Sequence, residues 1–422
     1  MKILENLFHP GKIFKPGREI KIYLCVMLGF GLAAGCFGGV LNNYLVERVG
    51  IGAMGRGVLE FFREMPGLLL VVILALFARR SEWWLLRFAF ATAVLGVLGL
   101  ALMPAQFNTA FNVAGLVVVP LHLAVATGFI MLWSLGEHIL MPVRTSVSLH
   151  LAKPGQEGGA QGLVGGFESL GVVAGSLTVA GVFFLFKFFE IPSRVGFTVM
   201  FALAAALLTA GIFLLRFIKD GGQQVKRPRL YFDAKYKKFY ILEIFYGARK
   251  QVFITFAPIM LITVYNMPTQ KIALLAGICA ALNIVCSPVA GWIIDRLGYR
   301  TVMIWDTILL FFVCLLYGYA RDLFPFAIAY WVVCANFILD VIITNASKAA
   351  NNYVNSIPGT REERTATFST GISVNHFISI LIAVGGAWVA KNHGYGTLFS
   401  ISAFMALCST AFTLTIPKPV KK

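Results

Sequence analysis

Residues 195–217 read VGFTVMFALAAALLTAGIFLLRF, and residues 218–238 read IKDGGQQVKRPRLYFDAKYKK. The first stretch carries a single charge, Arg216, near its end. It is long enough to cross about 30 Å of hydrocarbon as a helix, the element that closes its own backbone hydrogen bonds there. The second stretch holds Gly221, Gly222 and Pro228 among Lys219, Lys226, Arg227, Arg229, Lys235, Lys237 and Lys238. It reads as a basic linker (219–238), with a short amphipathic segment expected at Leu230–Tyr236. Working outward, apolar blocks of similar length recur on both sides. The expected spans are 22–44, 56–78, 84–104, 113–141, 160–186 and 195–217 before the linker. After it come 239–264, 270–293, 301–319, 324–347, 366–389 and 394–415. The expected fold class is therefore an all-α polytopic membrane protein with twelve transmembrane helices. Its expected parts are an N-terminal segment (1–21), a six-helix bundle (22–218), the linker, a second six-helix bundle (239–416) and a tail (417–422).

Composition agrees. Hydrophobic residues make up 58% of the 422 positions and charged residues 13%, against roughly 45–50% and about 25% in soluble domains. A soluble all-α protein of this size could not bury so much apolar surface. The net charge of +17 does not point to nucleic acid, because lysine and arginine concentrate in alternate loops, as the positive-inside rule requires. Lys2, Lys12, Lys15, Arg18 and Lys21 precede the first span, and Lys418, Lys421 and Lys422 end the chain. Loops on the other side hold few cations, except the first, to which Arg48 and Arg56 are assigned. Both termini are accordingly expected in the cytoplasm, and the short loops suit a bacterial inner membrane. The seven cysteines all fall inside apolar blocks without ligand spacing, so neither disulfides nor a metal site is expected.

The two halves share features. Lys21 and Tyr23 recur 217 positions later as Lys238 and Tyr240, and Arg79 recurs as Arg296. Pro154-Gly155, between spans four and five, is matched by Pro358-Gly359, between spans ten and eleven. Agreement in both position and topology favours a parallel internal repeat.

After span eight stands Gly291-Trp-Ile-Ile-Asp295-Arg296-Leu-Gly298-Tyr299-Arg300. Gly291 would allow close helix packing, Gly298 a tight turn, and Asp295 an ion pair or a helix N-terminus contact that locks one state. This run resembles the G-x-x-x-D-R-x-G-R/K-R/K loop of the major facilitator superfamily. The resemblance implies two pseudo-symmetric six-helix bundles and transport by alternating access. It also implies a water-filled cavity lined by spans one, four, seven and ten, with Gly291, Asp295, Arg296, Gly298 and Arg300 as gating residues. Tyr299 departs from the pattern. The equivalent first-half loop, Ala78-Arg79-Arg80-Ser81-Glu82, keeps the positive charge without the aspartate and glycines.

Charges inside a span are costly unless paired or wetted, so each is a functional candidate. In span two, the uncharged stretch from Met65 to Ala78 would rise only ~21 Å, so the span must take in Glu60, Arg63 and Glu64. Those three could bind substrate or form a self-neutralising structural ion pair, and Pro66 should bend the helix beside them. Span seven carries Glu243, Tyr246, Arg249, Lys250 and Gln251. Arg249 could present its planar fork to an oxyanion, pair with Glu243, or snorkel toward the cytoplasm. Glu64, Glu168 and His376 are the candidates for proton coupling. Glu137-His138 and Asp340 are expected toward the cytoplasmic ends of spans four and ten, as gating residues. His122 reads as structural, and Asn336 and Asn345 as helix-packing hydrogen bonders.

No nucleotide-binding loop, catalytic motif or segment long enough for a catalytic domain is present, so neither an enzyme nor a bound cofactor is expected. The expected activity is secondary active transport of a small anionic or zwitterionic organic solute, proton-coupled, by a monomer in the lipid bilayer. Two alternatives stand beside it. One is an exporter of drugs, lipids or other amphiphiles, suggested by the 37 phenylalanines. The other is a non-transporting membrane sensor or assembly factor on the same scaffold.

Overall fold

The computed structural model describes residues 10–15, 17–77, 79–104, 110–113, 117–218 and 230–418. Lys219, Lys226, Arg227 and Arg229 of the expected linker lie outside them, as do the chain's first nine and last four residues.

The first two helices are α1 (Arg18–Glu47) and α2 (Ala53–Leu68), the latter followed across Leu69 by α3 (Leu70–Leu76). After α4 (Glu82–Leu102) come two short strands, Ala110–Val113 and Val117–Pro120, paired antiparallel with Ala110 opposite Pro120. Then follow α5 (Leu121–Leu151), α6 (Glu157–Phe188) and α7 (Ser193–Leu215). The rest comprises α8 (Lys237–Thr263), α9 (Thr269–Leu297), α10 (Tyr299–Leu323), α11 (Phe326–Thr344), α12 (Lys348–Ser356) and α13 (Arg361–Thr413). Among the described residues, nine helical segments are long and apolar enough to cross a membrane. Expected spans two and seven fall outside that set: α2 carries four charges, and α8 is interrupted by Glu243, Arg249 and Lys250. Spans eleven and twelve run together as α13, but Gly394 at φ 82 breaks the helix between them.

Three expectations are corrected. Span four does not begin at 113, because Val117-Val118-Val119-Pro120 is extended and paired, as β-branched residues before a proline favour. Helices α5 and α11–α12 run past their apolar blocks, to Leu151 and Ser356, so Glu137 and Asp340 lie near their middles rather than at their ends. Leu230–Tyr236 has no regular structure up to Asp233 and then forms a single 3₁₀ turn from Ala234 to Tyr236. Arg56 is no loop residue; it sits in the first turn of α2. Pro66 is followed by a helix break at Leu69.

The chain divides into two compact units. The first comprises Met1–Gly50, Val72–Arg227 and Pro268–Ala281; the second comprises Ile51–Val71, Pro228–Met267 and Leu282–Lys422.

In the first unit α1 and α6 meet backbone to backbone. A Cβ added to Gly31 would stand 2.0 Å from the Glu168 carbonyl oxygen, and one added to Gly175 would stand 2.2 Å from that of Leu32. Only residues without a side chain let two helices approach this closely. Around that seam, Phe37 stacks on Trp133 with ring centres 4.2 Å apart, and Tyr44 meets Phe201 edge-on. The N-terminal segment is tied on by Lys15 N–H to the Leu151 carbonyl (3.0 Å) and Lys153 N–H to that of Ile13 (2.9 Å).

In the second unit α2 lies against α13, where an added Cβ at Gly57 would come within 2.3 Å of the Ala383 carbonyl oxygen. One end of this unit is closed by a cluster that includes Tyr236, Phe239, Met303, Tyr353 and Ile416. The chain entering α8 is fixed there by Tyr231 N–H to Thr370 Oγ1 at 2.6 Å and Lys235 Nζ to Glu363 Oε2 at 2.8 Å. Asp233 caps the 3₁₀ turn. The Lys235 amide and the Tyr231 hydroxyl donate to it and hold its carboxyl below the usual carboxylate range.

Candidate functional site

The second unit carries two charged clusters, built from α2, α8, α10, α11 and α13. The larger starts on α2, where helical spacing puts Arg56, Glu60, Arg63 and Glu64 on neighbouring turns. Arg56 bonds to Glu60, and both are buried. Arg63 bridges the two acids, with Nε 2.8 Å from Glu60 Oε2 and Nη2 2.6 Å from Glu64 Oε1. From α8, Gln251 Nε2 donates to Glu60 Oε2 at 3.1 Å, and Lys250 Nζ lies 3.3 Å from Glu64 Oε2. From α13, His376 Nδ1 lies 2.7 Å from the same Glu64 oxygen.

Among the described residues, this cluster holds three permanent cations, Arg56, Arg63 and Lys250, against two carboxylates. Its formal charge is therefore 3 − 2 = +1 with His376 neutral. Glu64 is 2% exposed, whereas the Lys250 side chain is 30% exposed and that of Arg63 15%. The carboxylates are thus sealed, and the surplus positive charge sits on the accessible side.

The second cluster surrounds Arg249. Its Nη1 donates to Asp306 Oδ1 at 2.7 Å, its Nη2 to Asp340 Oδ1 at 3.0 Å, and its Nε to the same Asp340 oxygen at 3.3 Å. All three residues are buried. Here one cation faces two carboxylates, for a formal charge of 1 − 2 = −1. Of the alternatives open to Arg249, the structure holds neither the pair with Glu243 nor snorkelling, and both arms of the fork are taken by aspartates rather than open to an oxyanion. Glu243 instead accepts from Asn375 Nδ2 at 3.1 Å. Tyr246 and Arg249 line a small cavity with Asp306 and Thr307.

The remaining candidates are dispersed. Glu168, on α6, pairs with Arg144 of α5, both partly exposed. Glu137 is half-buried, while its neighbour His138 bonds by Nδ1 to the Ser134 carbonyl oxygen at 2.7 Å. His122 Nε2 lies 3.1 Å from the Val49 carbonyl oxygen, tying α5 to the end of α1. Asn345 donates to Asn283 Oδ1 at 2.7 Å.

In the loop after α9, Gly298 has φ 81 and its N–H reaches the Ile294 carbonyl at 2.9 Å, so a left-handed residue closes that helix. No atom stands within 4 Å of a Cβ placed on Gly291, so close packing does not require that glycine. Asp295 is exposed, Arg296 lies over the Trp292 ring at 4.3 Å, and Arg300 Nη2 donates to the Leu414 carbonyl at 2.6 Å.

Sequence reasoning missed Asp306, the buried role of Arg56 and the Arg144 partner of Glu168. Asp306 was discoverable as a lone acid inside an apolar block, and Arg56 by its four-residue spacing from Glu60. Nothing local links Arg144 to Glu168.

Comparison with known proteins supplies the frame for this geometry. No match was found among curated proteins. Solved structures share the fold. A POT family transporter in complex with 5-aminolevulinic acid superposes with a TM-score of 0.74 at 12% identity, over 94% of this chain and 95% of that one. A bacterial homologue of the iron transporter ferroportin, in an inward-facing state, gives 0.73 at 13% identity, over 94% and 99%. A D-xylose-proton symporter gives 0.67 at 14% identity, over 94% and 96%. The sequence model described as Major Facilitator Superfamily matches residues 122–361 and 239–422. This chain, an integral membrane protein with the major facilitator fold, belongs to the major facilitator superfamily.

Proposed function

We propose that the protein is a secondary active transporter that moves a small anionic or zwitterionic organic solute by alternating access, coupled to protons. The observation that carries this reading is the surplus cation of the α2 cluster. A net +1 in a membrane span is unfavourable until an anionic group neutralises it, and the partly exposed Lys250 and Arg63 are the groups able to receive one. Tyr246 and Arg249 are left out of this site, because both face the cavity beside Asp306. Glu60 and Glu64 hold the cations in place, while Glu64 can also accept the ammonium of a zwitterion.

The same geometry supports proton coupling. Protonating His376, 2.7 Å from Glu64, raises the cluster from +1 to +2, so proton and anion each favour binding of the other. Glu168 is a further candidate for proton transfer, through its pair with Arg144. Asp295, Arg296, Gly298 and Arg300 are assigned to gating through the loop after α9. Glu137 is kept in that role, whereas the burial of Asp340 beside Arg249 favours a different one. The D-xylose-proton symporter among the structural neighbours makes proton coupling a natural mode for this fold. We place the protein in the bacterial inner membrane, with both termini cytoplasmic, twelve spans and a monomeric unit.

The test is flux in proteoliposomes, screened over carboxylates, amino acids and phosphorylated metabolites. Lys250→Ala should lower uptake of the responding solute about 10–100-fold, the loss expected for one charge-assisted hydrogen bond. Flux indifferent to both pH gradient and membrane potential would remove proton coupling. Preferential efflux of uncharged amphiphiles, unaffected at Lys250, would replace the anion reading.

A further inference from the structure

The Arg249 cluster is not used by the substrate reading, and its charge does not balance. One guanidinium serves two aspartates, each from a different helix, and all three residues are buried. Both of its arms are taken, Nη1 by Asp306 and Nη2 with Nε by Asp340. The other oxygen of the first acid, Asp306 Oδ2, is buried and has no hydrogen-bond partner among the described residues. A bare carboxylate oxygen in that position is among the costliest groups to bury.

The surroundings do not supply the missing charge. Of titratable groups, α8 presents Tyr246 and α10 presents Cys314, both neutral hydrogen carriers. From α13 come Ser402 and Ser409, and from α11 only Asp340 itself and Thr344, which bonds to the Asp340 backbone carbonyl. The adjoining cavity is about 30 Å³, room for a water or two. It is far too small for an organic ligand.

We propose that Asp306 and Asp340 share one exchangeable proton beside Arg249, forming a proton-binding site separate from Glu64 and His376. The step is simple to balance. A proton from water adds to a carboxylate oxygen of the pair, with Asp306 Oδ2 as the open position, and the cluster passes from −1 to 0. Release returns it to −1, and no other bond changes. Arg249 stays charged throughout and orients both acids. The protonation stands on this geometry alone; its use as a second coupling site rests on the transport reading above.

The test needs no substrate. Infrared difference spectra of the full-length protein in lipid, titrated with pH, should show a protonated-carboxyl C=O band that disappears on alkalinisation. Asp306→Asn should abolish that band, and Asp340→Asn should weaken or shift it, while His376→Gln leaves it in place. If Asp306→Asn fails to elute as folded protein, Asp306→Glu keeps the carboxyl and should keep a titrating band at a displaced frequency. A wild-type protein without such a band, or a band that survives both asparagine variants, overturns the site. So does a band insensitive to pH, or one displaced by sodium ions, which would make the cluster a structural group or a metal-cation site. Loss of pH-driven flux with the band intact would instead refute the coupling and spare the proton site.

Discussion

Both compact units bring helices together at glycine, as Gly31 and Gly175 do in the first and Gly57 in the second, but the second adds a large buried group of charges. Between α1 and α6, Gly31 and Gly175 bring two backbones so close that a single methyl would collide with a carbonyl oxygen. The charged pair on that face, Arg144 with Glu168, is partly exposed. Between α2, α8 and α13, the second unit instead buries Arg56, Glu60, Glu64, Gln251 and His376 in one hydrogen-bonded group. Apolar surface offers no net drive for helix association inside lipid, so shape and polar contact are the two means available. Shape is a static device. Charge can respond to a proton or a ligand, which is why the functional reading falls on the second unit.

Substitutions that remove one device at a time can break this contrast. The largest effect is expected for Glu60→Ala, which strands the buried Arg56 without its partner and should cost about 3–5 kcal/mol. Thermal unfolding in detergent, with retention of the monodisperse peak, measures it. A loss below that of a surface pair would mean that Glu60 is wetted, and the second unit would then not be charge-held. Next comes Gly31→Val, expected to cost about 1–3 kcal/mol through overpacking at the α1–α6 seam. A neutral result would show that the helices can separate freely there, and the glycine contact would lose its importance. The smallest effect is expected for Arg144→Ala, under about 1 kcal/mol because both partners remain partly solvated. A larger destabilisation would give the first unit an ionic core of its own and erase the distinction.

Much of the fold was legible in the apolar blocks, because a bilayer sets both the length and the polarity of what crosses it. Span two shows the strength of that argument: a 14-residue uncharged run was too short, so the charged turn had to be helical. Span four shows its weakness. An apolar run with Val117-Val118-Val119-Pro120 satisfies hydropathy equally as helix or strand, so hydropathy alone extends span four over the hairpin. Within the candidate site, residues paired one turn apart, such as Glu60, Arg63 and Glu64, announce themselves by spacing. Arg249, Asp306 and Asp340 lie 57 and 34 positions apart along the chain, and their meeting depends on packing that no local pattern encodes. The loop Gly291–Arg300 was legible in part. Its glycine at 298 has the left-handed geometry the sequence suggested, whereas Gly291 faces open space.

Three consecutive residues of α8, Arg249, Lys250 and Gln251, project at steps of about 100° around the helix axis. Each is held by a different partner: Asp306 and Asp340, then Glu64, then Glu60. Such a rod is pinned like a shaft by set-screws at three azimuths. It cannot roll about its own axis without breaking all three at once, although loosening one leaves the other two engaged. Any event at Glu64 therefore acts on α8 as a change of torque, delivered to a helix still anchored at Asp306 and Asp340.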